Sequence, residues 1–272
     1  MERIQQAIAK ARATREGKAE QKSGAPLVKG VEPDVTSKWE GLTEMRLEPE
    51  KLEGARIIAH QPGAAVKAFD LMRTNLLKHL RENGWKRVAI TSPTSGCGKT
   101  TVCLNLAFSL ARQSSLRIMV LEMDLRRPAI VSRLGLHDKM RFADVLSDEI
   151  GPENGLLRIG KNLMVGASAH PFSDPAELIS SAHTASVIDA IEASYKPDVI
   201  LFDLPPVLVV DDTLAFLDQV DCALLVAAAE ESTVAEIDRA GKELANGTKV
   251  LGVVLNKCRF LDRTEGYGFD DY

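Results

Sequence analysis

The chain has only four cysteines, Cys97, Cys103, Cys222 and Cys258, and no two of them are spaced as a pair. A disulfide framework is therefore not expected; the thiols read as reduced residues of a cytosolic protein. The five histidines, His60, His79, His137, His170 and His183, add no zinc-ligand spacing to them. No apolar run approaches the roughly 20 residues that cross a bilayer, and no secretory leader opens the sequence. A cytoplasmic location is expected. Formal net charge is only −4, which gives no general attraction to nucleic acid. Internal repeats are absent as well. What the chain does have is length and apolar content. Its 272 residues, 45% of them hydrophobic, suffice for one large α/β domain with extensions.

Residues 1–20 place Ile4, Ala7, Ile8 and Ala11 on one helical face, with Arg3, Lys10, Arg12 and Arg15 around the remainder. Residues 21–55 mix Gly, Pro, Ser, Lys and Glu with isolated Val28, Val31, Val35 and Trp39, and read as a linker. Order is expected to resume near Arg56. Residues 64–83 form an amphipathic helix pattern with Val66, Phe69, Met72, Leu76 and Leu80 inward and Gly84 as C-cap. From there strand-like and helix-like runs alternate. The strands are Arg87–Thr91, Leu116–Leu121, Asn162–Val165, Val199–Phe202, Cys222–Ala227 and Val250–Leu255. The helices are Val102–Arg112, Phe142–Ser147, Pro175–Ser181, Ala185–Tyr195, Thr213–Leu217 and Val234–Ala245. Nearly continuous Val/Ile/Leu strands are those buried on both faces. The alternation predicts an α/β fold with a mostly parallel central sheet and helices on both faces. In such sheets ligands sit at the carboxyl ends of the strands.

One loop stands where that rule wants a ligand. Residues 92–101, ending Gly96-Cys97-Gly98-Lys99-Thr100-Thr101, follow the Arg87–Thr91 strand and open the next helix. Strand, glycine-rich loop and helix in that order make a phosphate-binding P-loop. Glycines let backbone N–H groups wrap an anion, and the helix adds the positive end of its dipole. Lys99 is suited to the β- and γ-phosphates and the Thr100 hydroxyl to Mg²⁺. Pro93 stands where the usual first glycine would be. Cys97 raises a redox possibility, because a thiol beside helix amides acidifies; a small tolerated side chain is the simpler reading.

Metal and chemistry require acids at neighbouring strand ends. The run Ile-Leu-Phe-Asp ends in Asp203 and has the form of a Walker B carboxylate for Mg²⁺. The run 119–128 carries Glu122, Asp124 and Arg126. Alternate residues of an extended chain project to one side, which would bring both acids and the guanidinium towards the phosphates.

Together these residues resemble the bacterial tyrosine kinases (BY-kinases) of capsule and exopolysaccharide synthesis, which have a MinD-like P-loop fold. The segment 122–128 resembles that family's additional acidic motif, Walker A′. Residues 73–75 (Arg-Thr-Asn), 174–178 (Asp-Pro-Ala-Glu-Leu), Asp212 and the strand 251–256 ending in Asn256 resemble further family segments. The likeness extends over roughly residues 56–260. It implies a domain over 56–260 and a tail over 261–272. It implies ATP as donor, Mg²⁺ held by Thr100, Asp124 and Asp203, a Walker A′ acid (Glu122 or Asp124) to activate a tyrosine hydroxyl, and Asn256 near the adenine. Lys99, Glu122, Asp124 and Asp203 are then the catalytic candidates. Gly96, Cys97, Gly98, Lys99, Thr100, Thr101, Arg126 and Asn256 are the nucleotide-binding ones. Tyr267 and Tyr272 are the tail's tyrosines and the expected phosphoacceptors.

The resemblance further implies a membrane partner, a chain-length regulator of the Wzz type, that activates the kinase and keeps it at the inner face of the plasma membrane. Three features depart from the family. Glu122 replaces the usual Asp. The ring-assembly pattern Glu-x-x-Arg-x-x-Arg reads Lys67-x-x-Asp70-x-x-Arg73, so at most a weak homo-oligomer is expected. The tail tyrosines are few. Two alternatives stand beside the kinase reading. One is a ParA/MinD-like ATPase, against which the stretch Thr94-Ser95-Gly96 lacks those relatives' extra lysine. The other is a nucleotide-binding scaffold without phosphoryl transfer.

Overall fold

The computed structural model describes residues 35–63, 66–136 and 140–258. The expected helix over 1–20 and the tail with Tyr267 and Tyr272 lie outside the described residues.

Eight strands form one sheet in the order β1-β4-β5-β3-β6-β2-β7-β8. They are β1 (Thr43–Met45), β2 (Arg87–Thr91), β3 (Ile118–Glu122), β4 (Leu156–Ile159), β5 (Leu163–Gly166), β6 (Val199–Asp203), β7 (Cys222–Ala228) and β8 (Lys249–Asn256). All neighbours run parallel except β4 and β5, which form a hairpin. The mostly parallel sheet expected from the sequence is what forms. Every residue of β3, β6 and β7 is buried, which is why those strands read as unbroken apolar runs rather than alternating ones.

Helices cover both faces. The helices are α1 (Val35–Glu40), α2 (Pro49–Gly54), α3 (Lys67–Asn83), α4 (Lys99–Ala111), α5 (Ile130–Leu134), α6 (Phe142–Leu146), α7 (Pro152–Gly155), α8 (Pro175–Ser180), α9 (Ala182–Tyr195), α10 (Asp212–Phe216) and α11 (Val234–Gly247). On one face α3 and α4 pack against Val88, Ile90, Val120 and Leu201; on the other, α9 and α11 pack against Ala89, Leu121, Ile200 and Phe202. Helix α4 buries ten of its thirteen residues, as an apolar-all-round helix must. Helix α3 buries Leu76, Leu77 and Leu80 and ends where Gly84, at φ 69°, donates its N–H to the Leu80 carbonyl, the predicted left-handed cap.

The linker expected over 21–55 does not hold for 35–55, which folds as α1, β1 and α2. Its isolated hydrophobics are anchors. Trp39 and Leu42 are each 3% exposed, and the Trp39 indole N–H donates to the Tyr195 carbonyl at 2.6 Å. Polar composition concealed this, because a short segment laid on an existing core needs only one or two buried side chains. The domain therefore begins before Arg56. Farther on, the Asn105 carboxamide accepts from the N–H groups of Ile58 and Ala59 at 2.8 and 3.0 Å, tying the segment before α3 to α4.

Candidate active site

The three central strands β3, β6 and β2 end side by side, so the loops after them meet. Between them lies a cleft of about 310 Å³. One wall is the P-loop, with Ser95, Gly96, Gly98, Lys99 and Thr100. Gly96 and Gly98 take φ of 86° and 89°, a left-handed geometry that favours glycine. The second wall is cationic: Arg126, Arg127 and Arg133, with Asp124 among them. The third is apolar, from Pro205, Pro206, Val209 and Val210 after β6. Hydrogen bonds from Val207 N to Ser92 O (2.9 Å) and from Thr91 Oγ1 to Pro205 O (2.6 Å) fix that loop to the P-loop's base.

Lys99 Nζ donates to Asp124 Oδ2 at 2.8 Å and lies 3.7 Å from Asp203 Oδ1. Burial works against the ammonium, but Asp203 and Asp124 outweigh it and raise its pKa above the ordinary lysine value. Thr100 Oγ1 donates to Asp203 Oδ2 at 2.7 Å. Asp203 is fully buried, and burial pushes its pKa up despite Lys99 and Thr100. Its Oδ1 has no hydrogen-bond partner. A buried carboxylate oxygen left open beside a threonine hydroxyl is a hard, all-oxygen donor set, which fits Mg²⁺ shared with phosphates. Among the described residues no group of three or more His, Cys, Asp or Glu is placed to hold a metal by itself.

The predicted residues do not all converge. Glu122 is fully buried and stands behind the cleft. Its Oε1 accepts from the N–H groups of Ala129 (2.6 Å) and Ile130 (2.8 Å), and its Oε2 from Ser168 N–H (3.0 Å). Burial raises its pKa to about 7. The extended chain that was to align Glu122 with Asp124 ends at Glu122. Beyond it Met123 N and Asp124 N both donate to the Asp203 carbonyl, at 2.9 and 3.1 Å, and of the two acids only Asp124 lines the cleft. Arg126 does line the cleft, yet its guanidinium is held by both oxygens of buried Asp212 at 2.8 and 2.9 Å. Asn256 reaches the P-loop, donating to the Cys97 carbonyl at 2.9 Å. Thr101 is not among the lining residues; its Oγ1 accepts from Arg133 at 2.9 Å.

The Cys97 thiol is 1% exposed. Burial raises its pKa, but hydrogen bonds with Ser232 and Thr94 bring it below the ordinary thiol value. Arg127, Arg133 and the apolar wall were not found from the sequence. Arg127 adjoins a motif residue and so had a signal. Arg133 had none, since only the fold of α5 returns it to the P-loop.

A glycine-rich loop, its lysine and two acids at the carboxyl ends of a parallel sheet define a P-loop nucleotide-binding protein. Residues 88–265 match the CobQ/CobB/MinD/ParA nucleotide-binding domain, and the chain belongs to that family, on the branch of the bacterial tyrosine-protein kinases. It is 30% identical to the tyrosine-protein kinase YwqD of Bacillus subtilis over 203 residues, 74% of this chain and 84% of that one. The crystal structure of the VpsO kinase domain superposes with a TM-score of 0.61 at 27% identity, covering 71% of this chain and 98% of that domain. Against the longer EpsB protein of Ralstonia nicotianae the identity is 29% over 216 residues, 79% of this chain; the match spans only 28% of EpsB.

Proposed function

We propose that this chain is an ATP-dependent protein-tyrosine autokinase of a capsule or exopolysaccharide system, with Tyr267 and Tyr272 as acceptors. The observation that carries the reading is the open Asp203 oxygen beside the Lys99–Asp124 pair, in a cleft walled otherwise by cations, the P-loop and four apolar residues. Lys99 and the backbone N–H groups of 95–100 bind the phosphates of ATP. Thr100 and Asp203 hold the metal, with Asp124 next to them. Bound Mg²⁺ supplies neutralisation of the phosphate oxygens. Asp124, at the cleft surface, accepts the phenolic proton as the tyrosine oxygen bonds to the γ-phosphorus and the bond to the β,γ-bridging oxygen breaks. A phenol of pKa about 10 keeps its proton at neutral pH and needs such a base. Glu122 acts by position, holding the loop that carries Arg126 and α5.

No helix among the described residues is long and apolar enough to cross a membrane. The expected arrangement is a kinase at the inner face of the plasma membrane, bound to a Wzz-like membrane chain-length regulator that activates it. Asp70 and Arg73 are bound to each other at 3.1 Å, which leaves the altered helix motif little free charge for a ring and favours a weak homo-oligomer. One observation favours a second reading, a nucleotide-binding scaffold: the first Walker A′ acid is withdrawn from the cleft. Incubation with Mg-ATP, with and without the partner's cytoplasmic segment, followed by mass spectrometry of the tail, decides between them. The kinase reading expects phosphotyrosine at 267 or 272, abolished by changing both to Phe. ATP binding without any phosphotyrosine supports the scaffold.

A further inference from the structure

Three arginines have been placed around the cleft, and they are not equivalent. Arg126 spends its charge on Asp212. Arg127 is exposed. Arg133 is half-buried, lines the cleft, and makes its one side-chain hydrogen bond to a neutral group, from Nη1 to Thr101 Oγ1 at 2.9 Å. Its Nε is buried and has no partner. Two other arginines, Arg73 and Arg158, also carry a buried Nε without a partner. Each of those has a carboxylate in contact, Asp70 at 3.1 Å and Glu44 at 3.2 Å. Among the described residues Arg133 has none within ion-pair distance. Asp203 feels its charge from farther off, and Asp203 is already shared with Lys99.

A guanidinium drawn out of water without a counter-anion is costly unless a ligand completes it. The surroundings hold Arg133 in place all the same. Helix α5 is fastened at its start by the two N–H groups on Glu122 and closed at its end by Gly135, at φ 63°. The fork geometry of arginine suits phosphate oxygens, and charge-assisted bonds to them are the stronger kind.

We infer that Arg133 is a direct ligand of the nucleotide's phosphate chain, a counter-cation that acts beside Lys99 and, unlike Lys99 and Arg126, is not already paired with an acid. The inference rests on the nucleotide reading of this cleft and adds a residue to it. It also gives Glu122 a definite task, since the same carboxylate that is absent from the cleft sets the helix that brings Arg133 into it.

The test compares wild type, Arg133→Met and Arg133→Lys by calorimetric binding and thermal unfolding, with Mg-ADP and a non-hydrolysable Mg-ATP analogue as probes. Arg133→Met should leave the unfolding midpoint without nucleotide unchanged or raised, because a half-buried charge without a counter-ion is removed. Its affinity for the probes should fall about tenfold or more, with a smaller nucleotide-induced rise in midpoint. Arg133→Lys keeps a charge but not the fork, and should bind between the two. A purely structural arginine predicts the reverse, a lower midpoint without nucleotide and wild-type affinity, and that result overturns the inference. If Arg133→Met does not fold, Arg133→Lys decides: wild-type affinity in that variant rejects a bidentate phosphate ligand. If wild type itself binds neither probe, the nucleotide reading has failed, and this inference falls with it.

Discussion

Two clusters of charge lie along α4, one at each end, and they are built differently. At the carboxyl end, Asp70 of α3 accepts from Arg73 at 3.1 Å and from Ser109 Oγ at 2.8 Å, and pairs with Arg112. Arg73 also donates to the Ser109 carbonyl at 3.0 Å. This cluster is a clamp: each charged group has found its opposite within the chain, and the product is the docking of α3 on α4. At the amino end, Lys99 stands between two acids, and among the described residues a buried oxygen of Asp203 has no hydrogen-bond donor and Arg133 has no acid. The difference separates stability from function. Charges completed within the chain hold helices together, whereas charges left incomplete await a ligand.

Removing groups from the two clusters should therefore have opposite signatures. The largest effect is expected for Lys99→Met, which keeps the chain length and removes the phosphate-facing charge. Tail phosphorylation should fall at least about 100-fold with the far-UV circular dichroism unchanged, since one preorganised electrostatic contact is worth that much. Next comes Asp203→Asn. Its amide oxygen can still accept from Thr100, so nucleotide binding is largely spared, while Mg²⁺-dependent transfer should drop about 100-fold in a phosphate-release-free gel assay of labelled protein.

Glu122→Gln should reach function only through stability. Its amide nitrogen faces the Ser168 N–H, a donor against a donor, at a cost of about 1–3 kcal/mol in urea unfolding. It also changes the pH dependence. Burial raises the Glu122 pKa from 4.5 to about 7 in the folded protein. The unfolded chain thus releases this proton at lower pH than the folded one. The stability this group gives is full below about pH 4.5 and is lost as pH rises through about 7. Wild type should show that decline and Glu122→Gln should lack it. The smallest effect is expected for Asp70→Ala, about 1 kcal/mol, because the acid is one-third exposed. Here the loss appears in urea unfolding, and calorimetric nucleotide affinity should stay at the wild-type value.

The legible part of the molecule is the part where pattern and position coincide. The buried strands β3, β6 and β7 announce themselves as apolar runs, Gly84 marks the end of α3, and the P-loop is local in sequence. The segment 35–55 was hidden because its fold depends on Trp39 and Leu42 meeting α9 and its neighbours, which no window of composition contains. In the site, Lys99 and Thr100 could be read because they open a helix, Asp203 because it ends a strand, and Asp124 because it follows one by two residues. Alternation misplaces Glu122 because the strand ends at that residue: Met123 N and Asp124 N both donate to the Asp203 carbonyl, and the regular alternation does not continue to Asp124 and Arg126. Arg133 was missed since its value lies in what it lacks, a carboxylate partner, and a missing contact leaves no trace in sequence.

The central proposal, that this cleft transfers phosphate to a tail tyrosine, is tested most directly, and for transfer between copies, in a mixture of two disabled proteins. Lys99→Met retains its tyrosines and lacks the cleft's cation; the variant with both Tyr267 and Tyr272 changed to Phe retains the cleft and lacks the acceptors. Each should stay unlabelled alone in Mg-ATP with the partner segment present. Mixed, they should yield phosphotyrosine at 267 or 272 on the Lys99→Met chain, resolved by mass spectrometry. An unlabelled mixture, under conditions that label wild type, contradicts transfer between copies, and an unlabelled wild type contradicts the kinase.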